Sequence, residues 1–212
     1  MNATAQIAQS PVSVSIGALI ERCRSEIATH ADRLNGLDCA IGDGDHGTNM
    51  LRGFDALLAE RELLNALPID ETLVEAGRIL VMTIGGASGP LYGTLLIELG
   101  RALGSGVVNN EFSSAFQQAV DAVAKRGKSK GGDKTLLDVL YPVADLLDEQ
   151  HDIEGLPGMA FAFAESTVPL QAMRGRASFL GERSIGHMDP GAASCALLIA
   201  AVCRALNEGC RA

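Results

Sequence analysis

Residues Leu37 to Asn49 read LDCAIGDGDHGTN, and the rest of the chain is organised around them. Three carboxylates, Asp38, Asp43 and Asp45, fall within eight positions, interleaved with Gly42, Gly44 and Gly47. Like charges this close repel unless a cation sits between them. All-oxygen ligands suit Mg²⁺ or Ca²⁺ better than zinc. A helical pattern ends just before the stretch, at Leu34 with Asn35-Gly36 as its stop, and another starts just after it. The next helix is expected to begin at about His46 or Gly47, so its free amides and positive dipole end face the same spot. Carboxylates for a metal beside amides for an anion suit a metal-bound phosphate. Taken alone, the stretch also fits a solvated acidic turn. An EF-hand fails on register: counting from Asp43, Thr48 stands where the loop glycine belongs and Phe54 where the terminal Glu belongs.

Outward from this stretch, apolar residues step by three and four. Ile16, Leu19, Ile20, Cys23, Ile27, Ala31 and Leu34 mark a first helix, and Met50, Leu51, Phe54, Leu57 and Leu58 a second, broken by Pro68. Asp70 is the expected cap of a third helix, through Ile84. Gly85-Gly86-Ala87-Ser88-Gly89-Pro90 follows, with Ser88 as the expected cap of a fourth. A fifth runs from about Asn110 to Lys125. Next comes the most basic segment, Arg126 to Thr135. It is not a Walker A loop, because Ala122 occupies the position of the first glycine. Asp133 is the expected cap of a sixth helix. A seventh, around Gly158 to Met173, meets Pro169, which predicts a kink or an early end. The long loop Gly175–Gly191 carries Arg176, Arg183 and His187. Asp189 is a good cap for the last helix, with Pro190 at its first position.

Strand alternation is nearly absent, so the expected fold is all-α: a bundle of about eight antiparallel amphipathic helices over residues 15–212, after a loose tail at 1–14. In up-and-down order the acidic stretch, the Gly85–Pro90 loop, the basic loop and the Gly175–Gly191 loop all fall at one end. Loop parity thus gathers carboxylates, bare backbone and arginines at one site.

Composition narrows the partners. The chain of 212 residues is 47% hydrophobic, 20% charged and only 4% aromatic, and it lacks Trp. Such a core is built from aliphatic side chains, which suits close-packed helices. The net charge of −9 disfavours nucleic acid and anionic membrane. Five Cys without CxxC spacing point to buried thiols and a cytoplasmic setting. No apolar run approaches a membrane span in length, and no signal peptide is evident at the start.

Four motifs together, LDCAIGDGDHGTNM, GGASGPLYGT, RGKSKGGDKTLLDVL and GRASFLGERSIGHMDPGAAS, resemble the nucleotide-binding L subunit of dihydroxyacetone kinases and the equivalent domain of single-chain kinases. The resemblance runs from about Ser15 to Leu206. It implies a barrel of antiparallel helices with ADP or ATP at one end. It implies Mg²⁺, two ions, on Asp38, Asp43 and Asp45. It implies nucleotide contacts from His46, Gly47, Thr48 and Asn49, from Ala87 and Ser88, from Gly127 and Thr135, from Arg176, and from Asp189, Pro190 and Gly191. Family members commonly carry Pro where this chain has Gly131 or Gly132. Phosphoryl transfer needs positioning and charge neutralisation, with no covalent protein nucleophile. His46 is therefore read as a contact and not as a phosphohistidine, and His187 as structural.

The resemblance also implies partners. A K subunit holds the ketose, and the M subunit of a phosphotransferase system rephosphorylates tightly bound ADP. The alternative is exchangeable ATP as an ordinary substrate. A homodimer and a transcriptional regulator as partner are further expectations. From another class, a non-catalytic nucleotide sensor would use the same loops.

Overall fold

In the computed structural model, residues 14–105, 112–148 and 154–211 are described, and no strand occurs among them. The helices are α1 Ile16–Ile41, α2 His46–Ala59, α3 Arg61–Ala66, α4 Ile69–Thr83, α5 Ser88–Gly104, α6 Phe112–Gly127, α7 Leu137–Asp148, α8 Leu156–Glu165 and α9 Pro190–Arg211, with a 3₁₀ segment at Arg176–Ser184. Setting α3 aside as a short link, eight helices pack in sequence: α1 on α2, then α4, α5, α6, α7, α8 and α9, which returns to α1. The ring closes into a barrel around one aliphatic core. Ile27, Leu34, Met50, Leu64, Val120, Val123, Leu140 and Ala196 are fully or almost fully buried in it. Small residues let some helices approach closely. A Cβ on Gly77 in α4 would come within 2.6 Å of the Gly93 carbonyl oxygen in α5.

Several helix ends differ from the sequence expectation. The first helix does not stop at Asn35-Gly36 but continues to Ile41, because Leu34 and Ile41 keep the same face buried. One helical glycine costs only about 1 kcal/mol, less than that burial supplies. Asn35 caps the next helix instead: its Oδ1 accepts the Thr48 amide (3.1 Å) and its Nδ2 donates to the Thr48 hydroxyl (3.0 Å). The second helix already ends at Ala59, well before Pro68. Pro68, not Asp70, is the N-cap of α4. Ser88 is the first residue of α5 and not its cap. Asp133 accepts the Lys130 amide inside the basic loop (3.1 Å). The start of α7 is held by Thr135, whose hydroxyl accepts the Leu137 amide (3.2 Å). The seventh expected helix ends at Glu165, ahead of Pro169. Asp189 caps α9 as read from sequence, accepting the Ala192 amide at 2.7 Å. The expected N-terminal tail up to residue 13, and Asn110, lie outside the described residues.

By length and composition one stretch, Pro190–Glu208, could cross a membrane, which the sequence reading did not anticipate. Within the barrel 61% of it is buried, against α1 and α8 among others. Cys23, Cys195 and Cys203 are buried free thiols, and Cys39 is exposed.

Candidate functional site

The four loops between α1 and α2, α4 and α5, α6 and α7, and α8 and α9 meet over one cavity of about 610 Å³. This is the end of the barrel that loop parity selects. Asp38 sits on the last turn of α1, half-buried, and its Oδ2 accepts the amides of Asp45 (2.9 Å) and His46 (3.2 Å). It thereby caps the start of α2. Gly44 turns the chain back with φ +78°, and a Cβ there would come within 2.3 Å of the Cys39 sulfur. This turn brings the carboxylates together: oxygens of Asp38, Asp43 and Asp45 lie within 4.8 Å of one another, Asp43 and Asp45 exposed to solvent. Arg176 comes from the far loop and its Nη1 pairs with Asp43. Clustered hard oxygen donors at the rim of a cavity fit a divalent cation.

His46 opens α2 and is buried. Its Nδ1 faces the Ser88 hydroxyl at 3.2 Å, and its Nε2 faces the Ser194 hydroxyl at 2.8 Å. Ser194 in turn contacts the Tyr92 hydroxyl at 2.7 Å, and both reach the Gly191 carbonyl. One hydrogen-bonded chain thus ties the starts of α2, α5 and α9. Burial pushes the His46 imidazole below its ordinary 6.5, against the opposing pull of Asp38 and Asp45. Burial likewise raises the Asp189 carboxyl from 3.8 to about 7, opposed by its hydrogen bond from the Ala192 amide.

Of the sequence candidates, Asp38, Asp43, Asp45, His46, Asn49, Ala87, Ser88, Gly127, Thr135, Arg176, Asp189, Pro190 and Gly191 all line the cavity. Gly47 and Thr48 do not. Gly47 packs against α1, where a Cβ would come within 2.1 Å of the Ala31 carbonyl oxygen, and Thr48 is exposed and bonded to Asn35. Asn49 is buried and accepts from Arg52 at 2.7 Å. Sequence reasoning missed Tyr92, Lys134 and Ser194. Tyr92 lies in the quoted GGASGPLYGT motif, but nothing in the sequence distinguishes a buried polar hinge from a core aromatic.

The DAK2 domain pattern matches residues 40–204. The chain belongs to the DAK2 domain family. Among its DAK2 relatives, the PEP-dependent dihydroxyacetone kinase, ADP-binding subunit DhaL, of Escherichia coli is 38% identical over 89% of this chain and 95% of that protein. The corresponding subunit of kinase 1 of Listeria innocua is 43% identical over 80% of this chain and 84% of that one. The PTS-dependent counterpart of Lactococcus lactis is 38% identical over 78% and 83%. Among solved structures, the dihydroxyacetone kinase of C. freundii superposes with a TM-score of 0.72 at 22% identity. This DAK2 chain is covered to 96% in that match and spans 38% of the longer protein, a likeness of fold.

Proposed function

We propose that this chain is the nucleotide-binding subunit of a dihydroxyacetone kinase. It holds ADP with Mg²⁺, receives a phosphoryl group from the M subunit of a phosphotransferase system, and passes it to dihydroxyacetone on a K subunit. The observation that carries this reading is the facing of the three-carboxylate cluster and the N-termini of α2 and α5 across one cavity. It stands in a chain whose near-full-length relatives are named ADP-binding subunits.

Asp38, Asp43 and Asp45 would hold one or two Mg²⁺ ions, which supply charge neutralisation for the diphosphate and for the phosphoryl group in transfer. The chain's own residues do the rest. Ala87 and Ser88, at the start of α5, offer backbone amides to phosphate oxygens. Asn49 presents its side chain from α2. Arg176, released from Asp43 when a cation enters, is free to turn its guanidinium to the phosphates. Gly127 and Thr135 border the nucleotide on the basic-loop side, with Asp189, Pro190 and Gly191 opposite. Gly47 and Thr48 contribute through the placement of α2. In the forward step the terminal P–O bond of ATP breaks and a new P–O bond forms to the ketose hydroxyl, whose proton leaves to solvent or partner. ADP stays behind for the next cycle. No residue of this chain is covalently modified. A homodimer, a transcriptional regulator as a further partner and a cytoplasmic setting belong to the same proposal.

The test is reconstitution. With a K subunit, the phosphotransferase components, phosphoenolpyruvate and Mg²⁺, dihydroxyacetone phosphate should form with catalytic amounts of ADP. A nucleotide sensor would bind ADP and make no product, and that outcome would sink the kinase reading.

A further inference from the structure

Among the described residues Lys134 is the largest fully buried side chain, at 1% exposure, although it lies in a basic, glycine-rich loop. Its backbone has φ +62°, in the left-handed region that non-glycine residues adopt uncommonly. Its ammonium is enclosed by main-chain oxygens. Nζ donates to the carbonyl oxygens of Thr167 (2.7 Å), Leu170 (3.1 Å) and Val168 (3.4 Å), and also to that of His187. Three N–H donors are shared among four main-chain oxygens, all from the irregular segment between α8 and α9. Irregular backbone drawn inside a protein must have its carbonyls paired. Those of Thr167 and Val168 also accept the Leu170 and Gly186 amides, and the Lys134 ammonium, from another loop, draws them together with those of Leu170 and His187.

Lys134 is the centre of a wider seam. The Met173 amide donates to the Asp133 carbonyl (3.0 Å), and Arg174 Nε stands 3.5 Å from Asp133 Oδ2. The Asp189 amide donates to the Thr167 hydroxyl (3.1 Å), next to the caged ammonium. The segment so held carries Arg174, Arg176 and Asp189 along one wall of the cavity. We infer that Lys134 is a positioning residue: its caged ammonium clamps the α8–α9 segment to the basic loop, so that this wall stands in its binding geometry before any ligand arrives. The structural half is independent of what the cavity binds, and the functional half rests on the nucleotide reading above.

The wild-type protein gives the first test. An ammonium caged this way exchanges its protons slowly, and nitrogen-detected NMR of ¹⁵N-lysine-labelled protein should show one protected Nζ signal at neutral pH, without nucleotide. The rate should be nearly unchanged by Mg²⁺ and ADP. No protected signal, or one that arises only with ADP, overturns a wall arranged in advance. The second test is Lys134→Met, which keeps the volume and removes the donors. Amide exchange at Met173, Gly186 and Asp189 should accelerate by about tenfold or more while the amides of Asp45, His46 and Asn49 keep wild-type protection. The Kd for ADP with Mg²⁺ should rise by about tenfold. A loosened segment with unchanged ADP affinity would show that the clamp serves stability alone, and unchanged exchange would remove the clamp altogether. Should Lys134→Met fail to fold, the wild-type ammonium rates decide. Should the wild type bind no ADP, the kinase reading fails while the ligand-free exchange data still decide the clamp.

Discussion

Replacing Asp45 by Asn should raise the stability of the metal-free protein and remove most of what Mg²⁺ adds. The Asp45 side chain makes no capping hydrogen bond at the start of α2, so the substitution removes a charge and little else. Its oxygens lie within 4.8 Å of those of Asp38 and Asp43. At that separation two unit charges repel by about 1 kcal/mol in water-like surroundings and by about 3 kcal/mol at an effective dielectric of 20. Exposure of Asp43 and Asp45 selects the lower figure, and Arg176 already offsets part of the Asp43 charge. Against this, the dipole of α2 favours a negative residue at its start by about 0.5 kcal/mol. The balance is a gain of about 1 kcal/mol, or about 2–4 °C in Tm for a chain of this size. In the wild type, Mg²⁺ at a hundredfold its Kd should add about 2.7 kcal/mol. Calorimetric melting of both proteins in chelator and in Mg²⁺ reads all four values. The curves should cross, with the variant higher in chelator and lower in Mg²⁺. A variant that melts lower in chelator, or keeps the full Mg²⁺ gain, refutes the reasoning.

Two further outcomes follow from the geometry. Gly47→Ala places a methyl 2.1 Å from a main-chain oxygen of α1, which cannot yield as a side chain would. A loss of about 3 kcal/mol in urea unfolding is expected, and a loss below about 1 kcal/mol would mean that α1 and α2 do not approach as described. Asp189 binds its proton more tightly in the fold than in the unfolded chain, its value being raised from 3.8 to about 7 by burial. Its contribution is therefore complete below about pH 4 and lost as pH rises through about 7. That rise is worth up to about 4 kcal/mol, halved to about 2 because the residue is partly open to water. In chelator, Asp189→Asn should flatten the fall in stability between about pH 4 and pH 7 by that amount. Parallel pH profiles for the two proteins would contradict the assignment.

The barrel and the end that carries the cavity were legible because both depend on periodicity and loop order. Apolar steps of three and four marked the eight ring helices, and alternation placed the four glycine-rich loops together. The helix ends were less legible, since they are decided by tertiary partners. Asn35 and Gly36 look like a stop signal, but burial of Ile41 carries α1 through them. Ser88 looks like a cap, yet its hydroxyl faces His46. Asp133 looks like a cap too, but accepts within its own loop. The three aspartates could be read as a group, whereas Asp38 could not be foreseen as the cap of the next helix. Gly47 illustrates a different limit: the same glycine serves a ligand-facing backbone or a helix crossing, and only the distance to Ala31 separates them. Lys134 was hidden most completely. Its neighbours are Lys128, Lys130 and Arg126, and composition makes all four look solvated.

The central claim is that the clustered aspartates act on nucleotide only through a bound cation. Calorimetric titration of the wild-type protein with ADP, once in Mg²⁺ and once in chelator, tests it most directly. The account predicts binding at least about a hundredfold tighter with Mg²⁺, a difference of about 2.7 kcal/mol. Equal affinity in the two buffers, or tighter binding in chelator, would contradict it.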